Sequence, residues 1–497
     1  MMDFLTQYKE IQQKQKAYGY VMNIVGWDSQ TEAPRGAFAR RAQMLGVISG
    51  EIFKLNTSTE YQEAVNGLFE TLDTLDKPMQ REIKLVKKNL DKMVKIPQNE
   101  FVEYRKLLNL SQQVWQDAKE KSDWNMFKDN LAKIIEYNRK FITYYDTDME
   151  AYDVLLDDFE EGMSMKEYDK FFDALKEDLV PFVLKVLKEG KPLDKDFTLD
   201  FFNPSEQKEF CDYLIDVLAF DRSKGLMKES VHPFTWNTHP SDVRFTTRYL
   251  ENYVFSSIFA AVHELGHATY EQQVDEKWND TGLTGGTSMG IHESQSRFYE
   301  NVIGRSKVFW EKHFPKFKEL FPEQMKDVTI DEFYKAANKV EASFIRVEAD
   351  ELTYSLHIMV RYEIERKLFA NEIEVEDLPR VWNEKMVEYL GVEPKNNAEG
   401  VLQDVHWSAG LFGYFPTYAL GTAYSAQFFE AMKKDLDVDE LVKTGNIKVI
   451  NEWLKEKIHQ FGKSKTPEEL LLEVTGEEFN PKYYVAYLKE KYTKLYL

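Results

Sequence analysis

The chain has 497 residues, 43% of them hydrophobic, with 64 lysines and arginines against 85 aspartates and glutamates and a formal charge of −21. That balance gives no electrostatic support for holding a phosphate backbone or an anionic lipid surface, so nucleic acid and membrane are poor partners. The length exceeds what one ordinary core serves, and the expected organisation is one large lobed body over residues 1–497 with no convincing linker.

In chain order, the opening MMDFLTQYKEIQQKQKAYGY carries an acid at position 3 and no apolar block of the kind a signal peptide needs. No window reaches the roughly 18 to 20 uninterrupted apolar residues of a spanning helix. With Cys211 as the lone cysteine, read as a core residue, these features predict a soluble protein of a reducing, cytoplasmic compartment. Glycine (23) and proline (15) are scarce, and apolar residues recur at helical spacing, as at Leu107, Leu110, Val114 and Ala118, so the fold class is expected to be mostly α. The stretch VHPFTWNTHPSDVRFTTRYL, residues 231 to 250, breaks that pattern with two prolines and alternation through Val243, Phe245 and Thr247, and predicts a small β-sheet.

Directly after it, residues 254 to 273 predict a helix whose apolar face is Phe255, Ile258, Phe259, Val262 and Leu265. On another face, His263 and His267 lie one turn apart, the separation at which two imidazoles meet one tetrahedral Zn²⁺ at about 2.0 to 2.1 Å. Glu264 projects about 100° around the axis from His263, which suits it to act as a base on water rather than as a ligand. The competing interpretation, two core histidines, requires buried partners for four ring nitrogens, whereas ligation plus one outer hydrogen bond each satisfies them all. Gly266 within this helix suggests close approach of another segment or a tolerated surface glycine.

A catalytic zinc needs a third protein ligand. Tyr270 and Gln273 stand where the metzincin extension requires glycine and histidine, so that class is excluded. A loop with four glycines between positions 282 and 290 then leads into a new helical pattern that starts near GIHESQSRFYE. Glu293 is preferred as the third ligand over its neighbours His292 and Glu300. Further on, KVEASFIRVEADELTYSLHIMVRYEIERK reads as helix and carries Arg346.

Five strings, HPF (232–234), DVRFT (242–246), HELGH (263–267), HESQ (292–295) and GVLQDVHW (400–407), together resemble the carboxypeptidase Taq family of zinc metallocarboxypeptidases. WDSQTEAPRGAFARRAQ near the N-terminus and YDVLLDDFEEGMS at 152 to 164 extend the likeness over nearly the whole chain. The resemblance implies a two-lobed helical body with a deep active-site groove, a homodimer, and release of single residues from peptide C-termini with broad side-chain tolerance. It places the metal on His263, His267 and Glu293 and the base on Glu264. Zinc is the expected ion, with cobalt also compatible with two histidines and a glutamate.

Peptide hydrolysis develops an oxyanion that needs donors besides the metal. GVLQDVHWSAGLFGYFPTYALG gathers Gln403, His406, Tyr414 and Tyr418 on irregular backbone, and His406 with Tyr418 or Tyr414 are the candidate transition-state donors. Arg346 is the candidate clamp for the substrate's terminal carboxylate, because a guanidinium makes two parallel hydrogen bonds. Arg244 and Gln403 are further candidates for substrate binding, though Arg244 also suits a structural pairing with Asp242. Asp350, Glu351 and Asp404 are candidate acceptors behind the ligand imidazoles, and His232 is read as shaping the cleft. Two rival functions stand beside the carboxypeptidase: a helical zinc oligopeptidase acting on internal bonds, and a catalytically inactive helical binding scaffold.

Overall fold

The computed structural model describes residues 4–145, 147–191, 193 and 196–497, and these fold as a mostly helical body with one three-stranded sheet. Two large apolar clusters organise it, beside a small one of Val274, Trp278 and Leu283. The smaller of the two large ones joins Tyr8, Ile11, Tyr61, Val65, Leu68, Ile83 and Leu90 from the N-terminal helices, and the larger takes in most helices from Gln98 onward. The N-terminal helix Phe4–Thr31 reaches the main body where Trp27 packs edge-on against Phe234 with ring centroids 5.6 Å apart. Arg244 lies over the same indole at 5.8 Å, so three separated sequence strings meet there.

The expected small sheet forms, and one of its three strands lies before the stretch that predicted it. Strand β1 (Gly225–Glu229) runs parallel to β3 (Asp242–Thr247), and β2 (Thr235–His239) pairs antiparallel on the other side of β3. Val243, Phe245 and Thr247 of β3 are buried, and the Thr247 hydroxyl donates to the Ser257 carbonyl at 2.8 Å, which fixes the sheet against the following helix.

That helix, Val254–Gln272, is buried nearly all round, including every residue of its expected apolar face. Cys211 lies in the core, as expected. Two sequence readings change. Leu110 is 58% exposed, because the buried face of Gln98–Lys121 runs through Tyr104, Leu108, Ser111 and Ala118. Residues 339 to 353 are not a continuous helix: Arg346–Glu348 is a single 3₁₀ turn, and the helix begins at Tyr354. The cause is Asp350, whose carboxylate accepts from the amides of Glu341, Leu352 and Thr353 and from the Thr353 hydroxyl, all within 3.1 Å. Side-chain bonds of this kind compete with the helical ladder.

Candidate metal centre and catalytic site

His263 and His267 stand on adjacent turns of Val254–Gln272, and Glu293 comes from the helix Met289–Arg297 packed across it. The packing is close because Gly266 lets it be. A Cβ there would lie 2.7 Å from the Ser296 Cα and 2.8 Å from the Gln295 carbonyl oxygen. On the far side, a Cβ on Gly421 of helix Pro416–Asp435 would lie 2.5 Å from the Glu293 Cβ. Two glycines thus clamp the third ligand between helices.

Glu293 Oε2 lies 3.6 Å from His263 Nε2 and 3.5 Å from His267 Nε2. These separations are long for hydrogen bonds. They match the edge of a tetrahedron whose centre is about 2.1 Å from each corner, which is about 3.4 Å. His263, His267 and Glu293 are the one group among the described residues whose ligand atoms gather in this way, within 4.8 Å of one another. Burial holds the His267 imidazole down at about 3, so it is neutral and offers a lone pair. Burial opposes ionisation of Glu293, yet the Arg297 guanidinium and the two imidazoles hold its carboxyl well below the usual range. Glu293 and Glu300 raise the His263 pKa against the effect of burial, and the donor set, two imidazoles and one carboxylate, fits a divalent ion such as zinc.

A set of outer partners fixes these ligands. His263 Nδ1 is 2.9 Å from Glu300 Oε2, and Arg297 and Arg305 each donate to Glu300 at 3.0 Å. Arg297 also donates through Nε to Glu293 Oε1 at 2.7 Å, leaving Oε2 to face the imidazoles. Glu300 reaches His263 because the helix widens into a π-helical segment, Phe298–Gly304, a feature often found at functional sites. His267 Nδ1 is 2.6 Å from His292 Nδ1, whose Nε2 lies 2.7 Å from Glu271 Oε1. The residues passed over as ligands, His292 and Glu300, are thus the partners of the ligands. Asp350 and Glu351 lie elsewhere: Asp350 braces its own loop, and Glu351 accepts from Lys491 and Tyr492.

Glu264 is 8% exposed and receives a 2.6 Å hydrogen bond on Oε2 from the Thr235 hydroxyl of β2. Burial raises its pKa, against the opposing effect of His263 and of that hydrogen bond. Neither Thr235 nor Arg297 was singled out from sequence. Arg297 carried a usable signal, since it follows Glu293 by one helical turn.

Arg346 is buried beside Asp404, donating to its carboxylate at 3.0 and 3.3 Å, and its Nη1 donates to the Tyr354 hydroxyl at 3.1 Å. Arg297 stacks on that same Tyr354 ring at 4.4 Å, which links the ligand cluster to Arg346. Arg361 shares Asp404 from the other side at 3.1 Å. Gln403 accepts from the Arg346 amide at 2.8 Å and donates to the carbonyls of Phe344 and Glu399 at 3.0 Å, so its contacts are within the protein. Arg244 forms a two-pronged pair with Asp242 at 2.7 and 2.9 Å. His232 is exposed.

His406, Tyr414 and Tyr418 form one half-buried group. His406 stacks on Tyr414 with centroids 5.5 Å apart, and the two phenol oxygens are 3.4 Å apart. Tyr418 is one turn before Gly421 and so lies close to the Glu293 helix, with Arg346 over its ring at 5.2 Å. Burial, helped by Arg361, lowers the His406 pKa to about 3, and its Nδ1 has no hydrogen-bond partner among the described residues.

The chain is similar to known proteins over nearly its whole length. The chain is 45% identical over 481 residues to carboxypeptidase 1 of Bacillus subtilis, covering 97% of this chain and 96% of that one. It is 38% identical over 487 residues to thermostable carboxypeptidase 1 of Pyrococcus furiosus, with 96% of each covered. The M32 carboxypeptidase of Deinococcus radiodurans superposes with a TM-score of 0.95 at 32% identity over 99% of both chains. Residues 7–492 match the family model described as carboxypeptidase Taq (M32) metallopeptidase. Two imidazoles and a carboxylate gathered at ligand spacing, beside a buried glutamate, are what such an enzyme requires, and the chain belongs to the carboxypeptidase Taq (M32) metallopeptidase family.

Proposed function

We propose that this metallocarboxypeptidase removes single residues from free peptide C-termini with broad side-chain tolerance, using a zinc ion held by His263, His267 and Glu293. The observation that carries the reading is the pair of 3.5 and 3.6 Å separations around Glu293 Oε2, with Glu264 buried alongside. A bound divalent ion supplies Lewis acidity to the scissile carbonyl and acidifies water. Glu264 takes the proton of the attacking water and delivers it to the leaving amine, and Thr235 orients the carboxylate for both transfers. His406, neutral and with its Nδ1 unpaired among the described residues, is a donor for the developing oxyanion together with Tyr418 or Tyr414. Arg346 faces the substrate's carboxylate, its guanidinium held in place by Asp404 and Tyr354. Arg244 and Gln403 act on substrate indirectly, through the sheet and through the Arg346 backbone.

A cytoplasmic homodimer completes the proposal. Among the described residues no helix is long and apolar enough to cross a membrane, and sedimentation of the purified protein tests the dimer. The test of the function is a timed digest of one peptide as the free acid and as the C-terminal amide. Stepwise shortening of the acid with little turnover of the amide is expected. Equal cleavage of both identifies an oligopeptidase, and cleavage of neither identifies an inactive scaffold.

A further inference from the structure

The two ligand imidazoles are backed differently. Behind His263 stands a carboxylate, the ordinary arrangement for a metal-binding histidine. Behind His267 stands a second imidazole, and only behind that a carboxylate. We propose that His292 and Glu271 are positioning residues of the metal centre, an imidazole–carboxylate relay that holds the His267 ring with Nε2 turned to the metal. This rests on the metal site proposed above.

Ligation of a metal through His267 Nε2, taken with the donor and acceptor inventory, sets the proton positions. A carboxylate only accepts, so the 2.7 Å contact between Glu271 Oε1 and His292 Nε2 puts a proton on that nitrogen. When His267 Nε2 gives its lone pair to a metal, the ring's proton sits on Nδ1 and is donated to His292 Nδ1 across 2.6 Å. His267 Nε2 is the nitrogen that faces Glu293 Oε2, at 3.5 Å.

The surroundings are built to hold the relay. Glu271 sits one turn beyond His267 on the same helix and also accepts from the Gly286 amide at 3.0 Å and from the Asn237 side chain of β2. The His292 ring lies 5.1 Å from the Tyr270 ring and 4.7 Å from His267. The glycine-rich loop closes directly over it: a Cβ on Gly286 would approach His292 Cδ2 to 2.6 Å and the Tyr270 ring to 2.8 Å. No side chain fits at 286 while the ring keeps this position.

The test uses full-length protein stripped of metal, with zinc affinity measured by competition against a chromophoric chelator and geometry by the visible spectrum of the cobalt-loaded protein. His292→Leu should bind zinc about 10- to 100-fold more weakly and change the cobalt spectrum. His292→Gln supplies one acceptor and one donor on a planar group, as neutral imidazole does, and should recover affinity to within about ten-fold of wild type. Glu271→Gln, which keeps the volume, should lose affinity several-fold. Wild-type affinity and spectrum in both His292→Leu and Glu271→Gln would overturn the relay, as would equal impairment of the Leu and Gln variants at 292. A wild-type protein that binds no zinc would instead refute the metal site itself.

Discussion

Arg297 Nε donates to Glu293 Oε1 at 2.7 Å, so one oxygen of the third ligand is occupied by a guanidinium and the other is turned to the imidazoles. Because Arg297 also donates to Glu300, it ties the ligand and the partner of His263 into one rigid stripe along the helix. Arg297→Met would leave two buried carboxylates short of a donor, and zinc affinity should fall about 10- to 100-fold. Arg297→Lys should recover only part of this, since an ammonium cannot reproduce the fork. A chelator competition titration reads both, and wild-type affinity in Arg297→Met would show that Glu293 is oriented by other groups.

Glu264 is the one acid at the cluster whose closest hydrogen-bond partner is a hydroxyl rather than a cation. Glu264→Gln should retain metal, because no ligand is touched, while kcat falls about 10²- to 10⁴-fold. Metal content and turnover are measured on the same preparation. Normal turnover with metal retained would move the base elsewhere.

Much of this centre was legible because its parts are local. His263, Glu264 and His267 lie within two turns of one helix, where spacing alone sets direction, and the turn chemistry of the loop before Glu293 announces a new helix. Thr235 was not legible, because its contact with Glu264 depends on where β2 lands against a helix nearly thirty residues later. The segment around Arg346 looks helical by pattern and is not, since Asp350 and Gln403 capture its backbone amides. The family string at 152 to 164 gave no local clue to its use, and in the string at 400 to 407 Asp404 was read as an acceptor behind the ligand imidazoles. In the structure Glu160 caps the helix bearing Glu293, and Asp404 joins two arginines.

Gly266 offers a test of how tightly the two ligand helices must pack. Gly266→Ala places a methyl 2.7 Å from a backbone atom of the neighbouring helix, which cannot yield as a flexible side chain would. The helices must part, at a cost of about 1 to 3 kcal/mol, and zinc affinity should fall with stability. Gly19, also inside a helix, has nothing within 4 Å of an added Cβ. Gly19→Ala should therefore stabilise by up to about 1 kcal/mol. Thermal unfolding of the two variants, with opposite signs expected, separates close approach from simple helix propensity.

Glu160 makes a prediction about pH. Its carboxyl is fully buried at the start of the Glu293 helix, accepting from the Gly290 amide at 2.7 Å and the Ser288 hydroxyl at 2.8 Å. Burial pushes its pKa up to about 7, from an ordinary 4.5, despite those hydrogen bonds. Between these values the folded protein keeps a proton that the unfolded chain has released. Folding then binds the extra proton, so this group's contribution to stability falls as pH rises from about 4.5 to about 7 and is level above that. The full span is on the order of 3 kcal/mol. Glu160→Gln removes the titration while keeping the shape. The stability of wild type relative to Glu160→Gln, from denaturant unfolding at a series of pH values, should decline across that window and then flatten. A difference that rises with pH would mean that the amide and hydroxyl at this helix start hold Glu160 as an anion, with the opposite linkage.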